Sequence, residues 1–594
     1  FLYIISVIPI NMNKKERLPE DTNELKEYLT TQVSRRQALS TAGKAAAGIV
    51  GLAVIGGGAY AMTQSGGAAP ATVTQTATTT VTAEAAAAAK AAVKNPDTIV
   101  VGTRAAIGNF DTVTPGYRWA SNLAYTAYNR LFYYEPGTDE LKGSLVTDWT
   151  PNSDASSYTF KIREGVKFHS GNTLTAHDVK YSLDRALAIP GGMAANVIAV
   201  AKGSTITTNG DYEVTMDLPG SRANLLFPLA HVGASIVDSK VLDEHGGWTA
   251  GEYNEWLSEN QHEIGSGPYM FKSFDAAKEE LHLERFEDYW DIGSVNGPKN
   301  VLWRRIKDPV TQIQMIKNGE IDFIPLFDPT QAVNLAGLPT VNVVKHEAHP
   351  RGVMMGINMT GKFKELSDPR VRQALAYAIP YKSIINAARG SWGKRTVYYL
   401  VPAMPGYVAD NPYDTDLEKA KELLTEAGYP DGFKTTLWWS SVRTVDRLAS
   451  LLIQESFARA GIELELKGVQ DPVMWAEVFK GDVPLNLGTA SVQTADSVGL
   501  VYNWFHSKAI TNKTNFAFYE NSQVDQWIDT AMGSTDMGEI DTNVRNVVLQ
   551  ALEDVPYVPL YQRLEALPFS SAIDPGPIGF EYVFWYPVWR WTKG

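Results

Sequence analysis

The sequence predicts a mixed α/β protein built from at least two packed lobes. The chain has 594 residues, which is more than one hydrophobic core usually supports. Its composition, with 44% hydrophobic and 20% charged residues, is typical of a globular protein. From residue 97 onward, strand patterns of period two alternate with helical patterns. This alternation favours α/β layers over a helix bundle or a β-sandwich.

Charge and cysteine content exclude several kinds of partner and chemistry. The chain carries 66 acidic and 53 basic residues, a formal net charge of -13, so its overall field repels nucleic acid. It contains no cysteine, which excludes disulfides, thiolate metal sites, a cysteine nucleophile and a lipid-modified amino-terminal cysteine. We therefore expect no nucleic-acid partner.

The amino-terminal region carries an export pattern. SRRQAL at 34–39 precedes Lys44 and an uncharged run at 45–62, and together they look like a twin-arginine signal, with Ala38 where phenylalanine is usual. Ala59-Tyr60-Ala61 offers a cleavage site. Without cleavage, the run forms a membrane anchor of roughly 27 Å. In both alternatives, the chain after this signal is predicted to lie outside the cytoplasm.

The segments before and after this signal are predicted to have different roles. Residues 1–33 form a cytoplasmic n-region, and a start at Met12 would make 1–11 a start-site artefact. Residues 63–96 are rich in alanine and threonine and predict a tether that cannot build a core. Two N-glycosylation sequons occur, at Asn358 and Asn512.

Several strands and helices of the body can be predicted locally. YTFKIR at 158–163 alternates as a half-buried strand, and Asn209-Gly210 indicates a hairpin. Asp368 and Asp416 are positioned to cap helices, and a third helix is predicted over 448–460.

Four longer motifs then occur in a fixed order. They are YTFKIREGVKFHSG at 158–171, GSGPY at 265–269, DPRVRQALAYAI at 368–379, and AKELL at 420–424 with AGYP at 427–430. This series resembles the dipeptide, oligopeptide and nickel-binding class of ABC-transporter extracellular solute-binding proteins. The likeness extends over roughly 98–559.

The resemblance implies a two-lobed, periplasmic-binding-protein-like fold of class II, with an enlarged first lobe. Lobe I would comprise 97–305 and 560–594, and lobe II would comprise 306–559. It also implies a monomer that is not an enzyme. Such a protein closes on a peptide or oligosaccharide and delivers it to a membrane permease with its ATPase. In such a protein, the glycines of GSGPY would allow a tight backbone path. Thr175 and Asp178 would begin a helix.

Two charged residues are candidates for peptide recognition. WWSSVR at 438–443 resembles the segment in which dipeptide binders carry an arginine for the peptide carboxylate, so Arg443 is the candidate. Peptide-binding relatives usually carry Gly-Trp and, soon after it, an aspartate for the peptide amino group, and the matching positions in this chain are Thr489 and Val492. Asp496 could substitute only if the loop shifts, which puts recognition of a free amino group in doubt.

Tryptophans offer stacking surfaces for an oligosaccharide, the alternative ligand. Trp119, Trp439, Trp475 and Trp504 lie in segments that could face the cleft, against the more common role of tryptophan in core packing. A peptide and an oligosaccharide both remain open at this point.

The chain lacks the usual signatures of catalysis. It has no complete phosphate loop, G-x-S-x-G elbow or G-x-G-x-x-G fingerprint. His346 and His349 are three residues apart, where a zincin helix needs four. We expect no cofactor and no metal. The competing functions are an extracellular hydrolase on the same fold and a chemosensory surface protein.

Overall fold

The computed structural model describes most of the body of the chain. The described residues are 94–107, 110–113, 118–138, 140–189, 201–258, 262–325, 329–347, 351–402, 404–491, 496–579 and 586–594. The predicted n-region, export signal and tether up to residue 93 lie outside these residues.

Helices and strands alternate along the described chain, as the sequence predicts. The helices are α1 (Arg118–Ala127), α2 (Ala176–Ala188), α3 (Ser239–Glu244), α4 (Glu255–Ser258), α5 (Pro309–Lys317), α6 (Pro369–Ala378), α7 (Tyr381–Ala388), α8 (Leu417–Glu426), α9 (Thr444–Arg459), α10 (Asp471–Val478), α11 (Ser497–Phe505), α12 (Ser522–Gly533) and α13 (Met537–Asp554). Each helix among the described residues is too short or too polar to span a lipid bilayer.

The strands are β1 (Thr98–Thr103), β2 (Phe132–Tyr134), β3 (Leu141–Gly143), β4 (Val146–Pro151), β5 (Ser157–Ile162), β6 (Thr205–Thr208), β7 (Glu213–Asp217), β8 (Tyr269–Asp275), β9 (Glu280–Arg285), β10 (Asn300–Arg305), β11 (Val341–His346), β12 (Arg351–Ile357), β13 (Gly393–Lys394), β14 (Lys434–Ser440), β15 (Glu463–Val469), β16 (Leu485–Ser491), β17 (Tyr557–Arg563), β18 (Glu565–Ser570), β19 (Ile573–Asp574) and β20 (Thr592–Lys593).

The first sheet joins the two ends of the described chain. Its strand order is β1-β10-β9-β8, with β1 parallel to β10. The antiparallel pair β11 and β18 adjoins it, because Phe323 bridges both Val101 and Phe569. Near the carboxyl end, the buried Lys593 ammonium lies 2.7 Å from the Asp322 carboxylate. Sequentially distant segments therefore share one core.

A second, antiparallel sheet of order β4-β5-β7-β6 confirms two local predictions. The predicted strand at 158–163 is β5, displaced by one residue. Asn209 and Gly210 turn the chain between β6 and β7, and Gly210 has a φ of 77°, which glycine adopts without strain. In the predicted helix start, Asp178 accepts a hydrogen bond from the Thr175 backbone N–H at 2.8 Å.

The six-stranded sheet, of order β13-β17-β12-β16-β14-β15, carries the remaining predicted helices. Asp368 caps α6 and Asp416 caps α8, as predicted. Helix α9 begins at Thr444, four residues before the predicted start. The prediction followed the apolar stripe, whereas the first turn of α9 is polar and carries Asp446.

The chain passes twice between the first sheet and the six-stranded sheet. One passage connects β11 to β12, and the other runs from β17 through Leu564 to β18. They lie side by side, since the Gln562 amide donates a hydrogen bond to the Glu347 carbonyl at 3.2 Å. The lobe boundaries predicted at 305/306 and 559/560 stay a prediction.

The GSGPY segment makes the close backbone approach that its glycines predict. The Gly267 N–H donates to the Ala127 carbonyl at the end of α1, at 2.8 Å. A Cβ on Gly267 would lie 2.5 Å from the Ala127 carbonyl carbon, and one on Gly265 would lie 2.1 Å from its oxygen. Any larger residue at either position would displace α1.

Candidate ligand-binding site

One edge of the six-stranded sheet gathers most of the predicted site residues. Strand β14 is parallel to both β15 and β16, so the carboxyl ends of all three meet there. Each strand is followed within a few residues by a helix, namely α9, α10 and α11. In open α/β sheets, ligands bind outside the carboxyl ends of such strands.

Both passages between the sheets leave from this same edge. Arg351, at the start of β12, pairs with Ser491 at the end of β16, and Gly352 pairs with Gln562 near the end of β17. We call this side the carboxyl edge. It lies where the two sheets are connected, and it is the candidate ligand-binding site.

Trp439 lies flat on the neighbouring strand at this edge. It pairs in register with Gly468 of β15, and a Cβ on Gly468 would lie 2.5 Å from the indole ring. The glycine therefore provides the space for the ring. The indole Nε1 is buried and has no hydrogen-bond partner among the described residues.

Arg443 lies between two carboxylates. Its Nε donates to Asp446 Oδ2 at 2.6 Å, and its Nη2 lies 3.4 Å from Asp471 Oδ1. Asp446 lies in the first turn of α9, and Asp471 is the first residue of α10. Both helix dipoles favour negative charge at these positions. One guanidinium thus faces two carboxylates.

Burial disfavours the charged form of Asp446 in this cluster. The Asp446 side chain is 1% exposed, and burial raises its pKa, as does the charge of Asp471, while Arg443 lowers it. The backbone N–H of Ser440 also lowers the pKa of Asp446 through a hydrogen bond. The buried Ser440 hydroxyl, at the end of β14, is unpartnered within the described part of the chain.

Asp496 is held by the protein itself. It caps α11, with Oδ1 accepting from the Gly499 N–H at 2.8 Å and Oδ2 accepting from the Asn224 amide at 2.7 Å. Burial raises the pKa of Asp496 to about 6. Its role as a ligand contact stays a prediction, and both of its oxygens already have donors.

Two further tryptophans, Trp504 and Trp119, are candidates from the sequence. Trp504, in α11, is 9% exposed and packs edge-on against Tyr399 with ring centroids 5.9 Å apart, within the main apolar core. Trp119 is the second residue of α1, and its side chain lies outside the described part of the structure. Their roles as ligand contacts stay predictions.

Sequence reasoning missed Asp446, Asp471 and Asn224. Asp446 could have been noticed, because a residue three positions after Arg443 on a helix lies beside it. Asp471 and Asn224 depend on the pairing of distant segments, which no local pattern reports. The described residues contain no group of three histidine or acidic side chains placed to hold a metal. The His346 Nε2–H donates a hydrogen bond to the Gly579 carbonyl at 3.0 Å.

The chain is similar to known proteins over most of its length. A family model described as bacterial extracellular solute-binding proteins, family 5 middle region, matches residues 140–512. The probable D,D-dipeptide-binding periplasmic protein DdpA of Escherichia coli is 27% identical over 485 residues, which is 80% of this chain and 90% of the relative.

Two solved structures share the fold. HbpA2 from Haemophilus parasuis aligns with a TM-score of 0.74 at 22% identity, over 84% of this chain and all of the other. The periplasmic binding protein DppA from Helicobacter pylori, in complex with the peptide STSA, aligns with a TM-score of 0.65 at 24% identity, over 84% and 98%.

These likenesses confirm the predicted α/β, two-lobed class II fold. Proteins of the matching family bind substrates for transport and are not enzymes. The chain belongs to family 5 of the bacterial extracellular solute-binding proteins, the ABC-transporter class that its motifs predict.

Proposed function

We propose that this chain captures a peptide between its two lobes and delivers it to an ABC permease with its ATPase. The observation that carries the proposal is the carboxyl edge: three parallel strands end there, and both passages between the sheets begin there. A ligand held at that edge touches the segments about which two lobes can rotate. Ligand binding then stabilises a closed form, which the permease recognises.

The proposed hinge lies at the connection from β11 to β12 and at Leu564, where the chain leaves one sheet and enters the other. Strand β11 pairs with β18 beside the first sheet, so we propose that 306–346 move with lobe I. This puts the hinge later in the chain than the predicted boundary at 305/306. Only two short connections then have to bend.

A peptide is favoured over an oligosaccharide. The names of the curated relative and of one solved relative refer to peptides. Of the candidate tryptophans, Trp504 is packed in the core and offers no free face of the kind that sugar stacking uses. The Trp439 N–H and the charged groups near Arg443 suit the polar backbone of a peptide better.

The proposed location is outside the cytoplasm. The family is extracellular, and the twin-arginine pattern at 34–39 supplies a route of export. We propose that 63–96 then link the folded body to the membrane when the signal is retained. Mass spectrometry of the native amino terminus would distinguish cleavage after Ala61 from retention.

Thermal unfolding of the full chain tests the peptide proposal. The probes are the tetrapeptide Ser-Thr-Ser-Ala, a mixture of random tetrapeptides, and maltotetraose. A ligand at one hundred times its Kd stabilises the native state by about 2.7 kcal/mol, which raises the melting temperature measurably. We expect a shift with peptides and none with the sugar. A shift with maltotetraose alone would contradict the proposal.

A further inference from the structure

The two N-glycosylation sequons of the chain have different structural surroundings. A sequon is an asparagine, then any residue except proline, then serine or threonine. The pattern occurs at Asn358-Met359-Thr360 and at Asn512-Lys513-Thr514 and nowhere else in the sequence. A glycan-transferring enzyme has to reach the asparagine amide and the hydroxyl of the third residue, so an acceptor belongs on a surface loop.

Asn358 is buried, and both ends of its amide are engaged. It directly follows β12 and is 5% exposed. Its Nδ2 donates to the Val483 carbonyl at 2.9 Å, and its Oδ1 accepts from the Thr360 N–H at 3.0 Å and from the Thr360 hydroxyl at 2.7 Å. The hydroxyl of this sequon is therefore bound to its own asparagine. An enzyme could reach either group only after the end of β12 had separated from the segment before β16.

Asn512 is exposed in a turn. The turn follows the 3-10 helix Ser507–Ile510, and residues 511–513 are all exposed. The Asn512 amide makes no hydrogen bond to the described part of the protein. The Thr514 hydroxyl donates to the Ala509 carbonyl at 3.3 Å, which is longer than the roughly 2.5–3.0 Å usual for a hydroxyl donor. Both groups of this sequon can therefore be reached without unfolding a strand or a helix.

The turn lies at the opposite end of the six-stranded sheet from the carboxyl edge. Lys513 Nζ is 5.9 Å from the centre of the Phe479 ring, at the end of α10, whereas α10 begins at the carboxyl edge. The Ala517 carbonyl accepts from the Met359 N–H at 2.8 Å, just beyond the end of β12. A glycan on Asn512 would therefore be attached far from the proposed ligand site.

We infer that Asn512, and not Asn358, is the acceptor of an N-linked glycan on the exported chain. The donor is an oligosaccharide carried on a lipid phosphate, and the catalyst is a membrane oligosaccharyltransferase. Asn512 Nδ2 forms a bond to C1 of the first sugar, and the bond from C1 to the phosphate oxygen breaks. The lipid phosphate leaves with the bonding electrons, and one amide proton passes to a base of the enzyme. The inference rests on the proposed location outside the cytoplasm.

Glycopeptide mass spectrometry of the full chain from its native host tests the inference. The chain is recovered from the outer side of the cell membrane and digested, and fragmentation assigns any added sugar to one residue. We expect peptides containing Asn512 to carry the mass of one or more sugars. Peptides containing Asn358 are expected to carry none.

Variants produced in the same host show whether the sequon is responsible. Asn512→Gln and Thr514→Ala are expected to lose the glycan completely, and Thr514→Ser is expected to keep it. Thr511→Ala is the matched control, because Thr511 is an exposed threonine of the same turn whose hydroxyl donates to the Lys508 carbonyl at 2.8 Å. This control lies outside the sequon and is expected to keep the glycan. Thermal unfolding checks that each variant folds.

Three results would overturn the inference. They are an unmodified Asn512 in chain recovered from outside the membrane, a glycan on Asn358, and a glycan on Asn512 that survives Thr514→Ala. An unmodified chain found only in the cytoplasm would contradict the proposed location and overturn the inference with it. A chain that carries the glycan on Asn512 but binds no peptide would support the inference and contradict the proposed peptide binding alone.

Discussion

The Asn224 amide donates a hydrogen bond of 2.7 Å to the Asp496 carboxylate across 272 positions of sequence. Asn224 belongs to the segment after β7, and Asp496 caps α11 beside the six-stranded sheet. A second bond, from the Ala223 N–H to the Met532 carbonyl at 2.8 Å, accompanies it. These two bonds attach the amino-terminal half of the body to the edge proposed to bind ligand.

Asp496→Asn should change stability in a pH-dependent way. Burial raises the pKa of Asp496 to about 6, above the value near 3.9 of an unfolded aspartate. The folded state therefore binds this proton more tightly, and its stability rises as the pH falls from above 6 to below 4. At pH 7.5 the buried charge costs roughly 3 kcal/mol, which asparagine does not incur.

We expect Asp496→Asn to be more stable than the unmodified chain at pH 7.5, with the difference shrinking towards pH 4. Asparagine also caps helices, and the Asn224 Oδ1, unpartnered among the described residues, can accept from the new amide. Urea denaturation at several pH values measures this. Asp416→Asn, at the exposed cap of α8, should show no such trend. Destabilisation by Asp496→Asn at pH 7.5 would contradict the account.

Glu263→Gln should be most harmful at low pH. Glu263 forms a buried pair with His169, whose Nδ1 lies 2.7 Å from the carboxylate. Burial lowers the pKa of His169, but the charge and hydrogen bond of Glu263 and the Gly267 carbonyl outweigh burial and raise it overall. The pair therefore stabilises the fold below about pH 6.5, and this contribution is lost as the pH rises through the raised pKa.

Glu263→Gln is expected to lose roughly 3 kcal/mol at pH 5.5, and less at pH 9, because it leaves a buried histidine without its counter-charge. Urea denaturation at both pH values provides the comparison. Asp148→Asn, which breaks an exposed pair with Lys161, should leave stability almost unchanged at both pH values. A loss that is equal at both pH values would show that the pair is not ionised.

Gly267→Ala should destabilise the fold through a steric clash. The new methyl group would lie 2.5 Å from the carbonyl carbon of Ala127 and 2.6 Å from the carbonyl oxygen of Thr126, which are backbone atoms at the end of α1. We expect a loss of about 3 kcal/mol in chemical denaturation. Gly293→Ala is the control, since a methyl group there meets nothing within 4 Å. Equal effects of the two substitutions would refute the explanation.

Lys593→Met tests how strongly the carboxyl end is attached. Its ammonium lies 2.7 Å from Asp322 and donates to the Thr98 carbonyl, also at 2.7 Å. Its loss leaves the buried Asp322 without a counter-charge, at a cost of roughly 3 kcal/mol in urea denaturation. Lys434→Met, which removes an exposed partner of Glu463, should have almost no effect. A loss below about 1 kcal/mol for Lys593→Met would contradict this explanation.

The parts of the fold that sequence predicts correctly depend on local interactions. Asp368 and Asp416 cap their helices through N–H groups two or three residues away, so their spacing alone reveals them. The hairpin at Asn209 and Gly210 is equally local. The four family motifs predicted the rest of the fold. Their order along the chain is typical of one family, whereas a single helix or strand occurs in many folds.

The candidate site could be predicted only in part. The approach of Asp471 to Arg443 requires β14 to pair with β15, and the bond between Asn224 and Asp496 requires the two halves of the body to meet. Neither pairing leaves a periodic signal in the sequence. For Trp504, hydrophobic pattern could not distinguish a ring packed in the core from a ring lining a cleft, because both lie on the buried face of a helix.

The most direct test of the central claim is photo-crosslinking of a peptide to the full chain, followed by mass spectrometry. A tetrapeptide carrying a photoreactive phenylalanine analogue serves as the probe. The account predicts crosslinks to 438–443 and 470–473 at the carboxyl edge, and their loss when unlabelled peptide competes. Crosslinks confined to the open groove of about 500 Å³ lined by Lys94, His282 and Arg304, beside the first sheet, would contradict it.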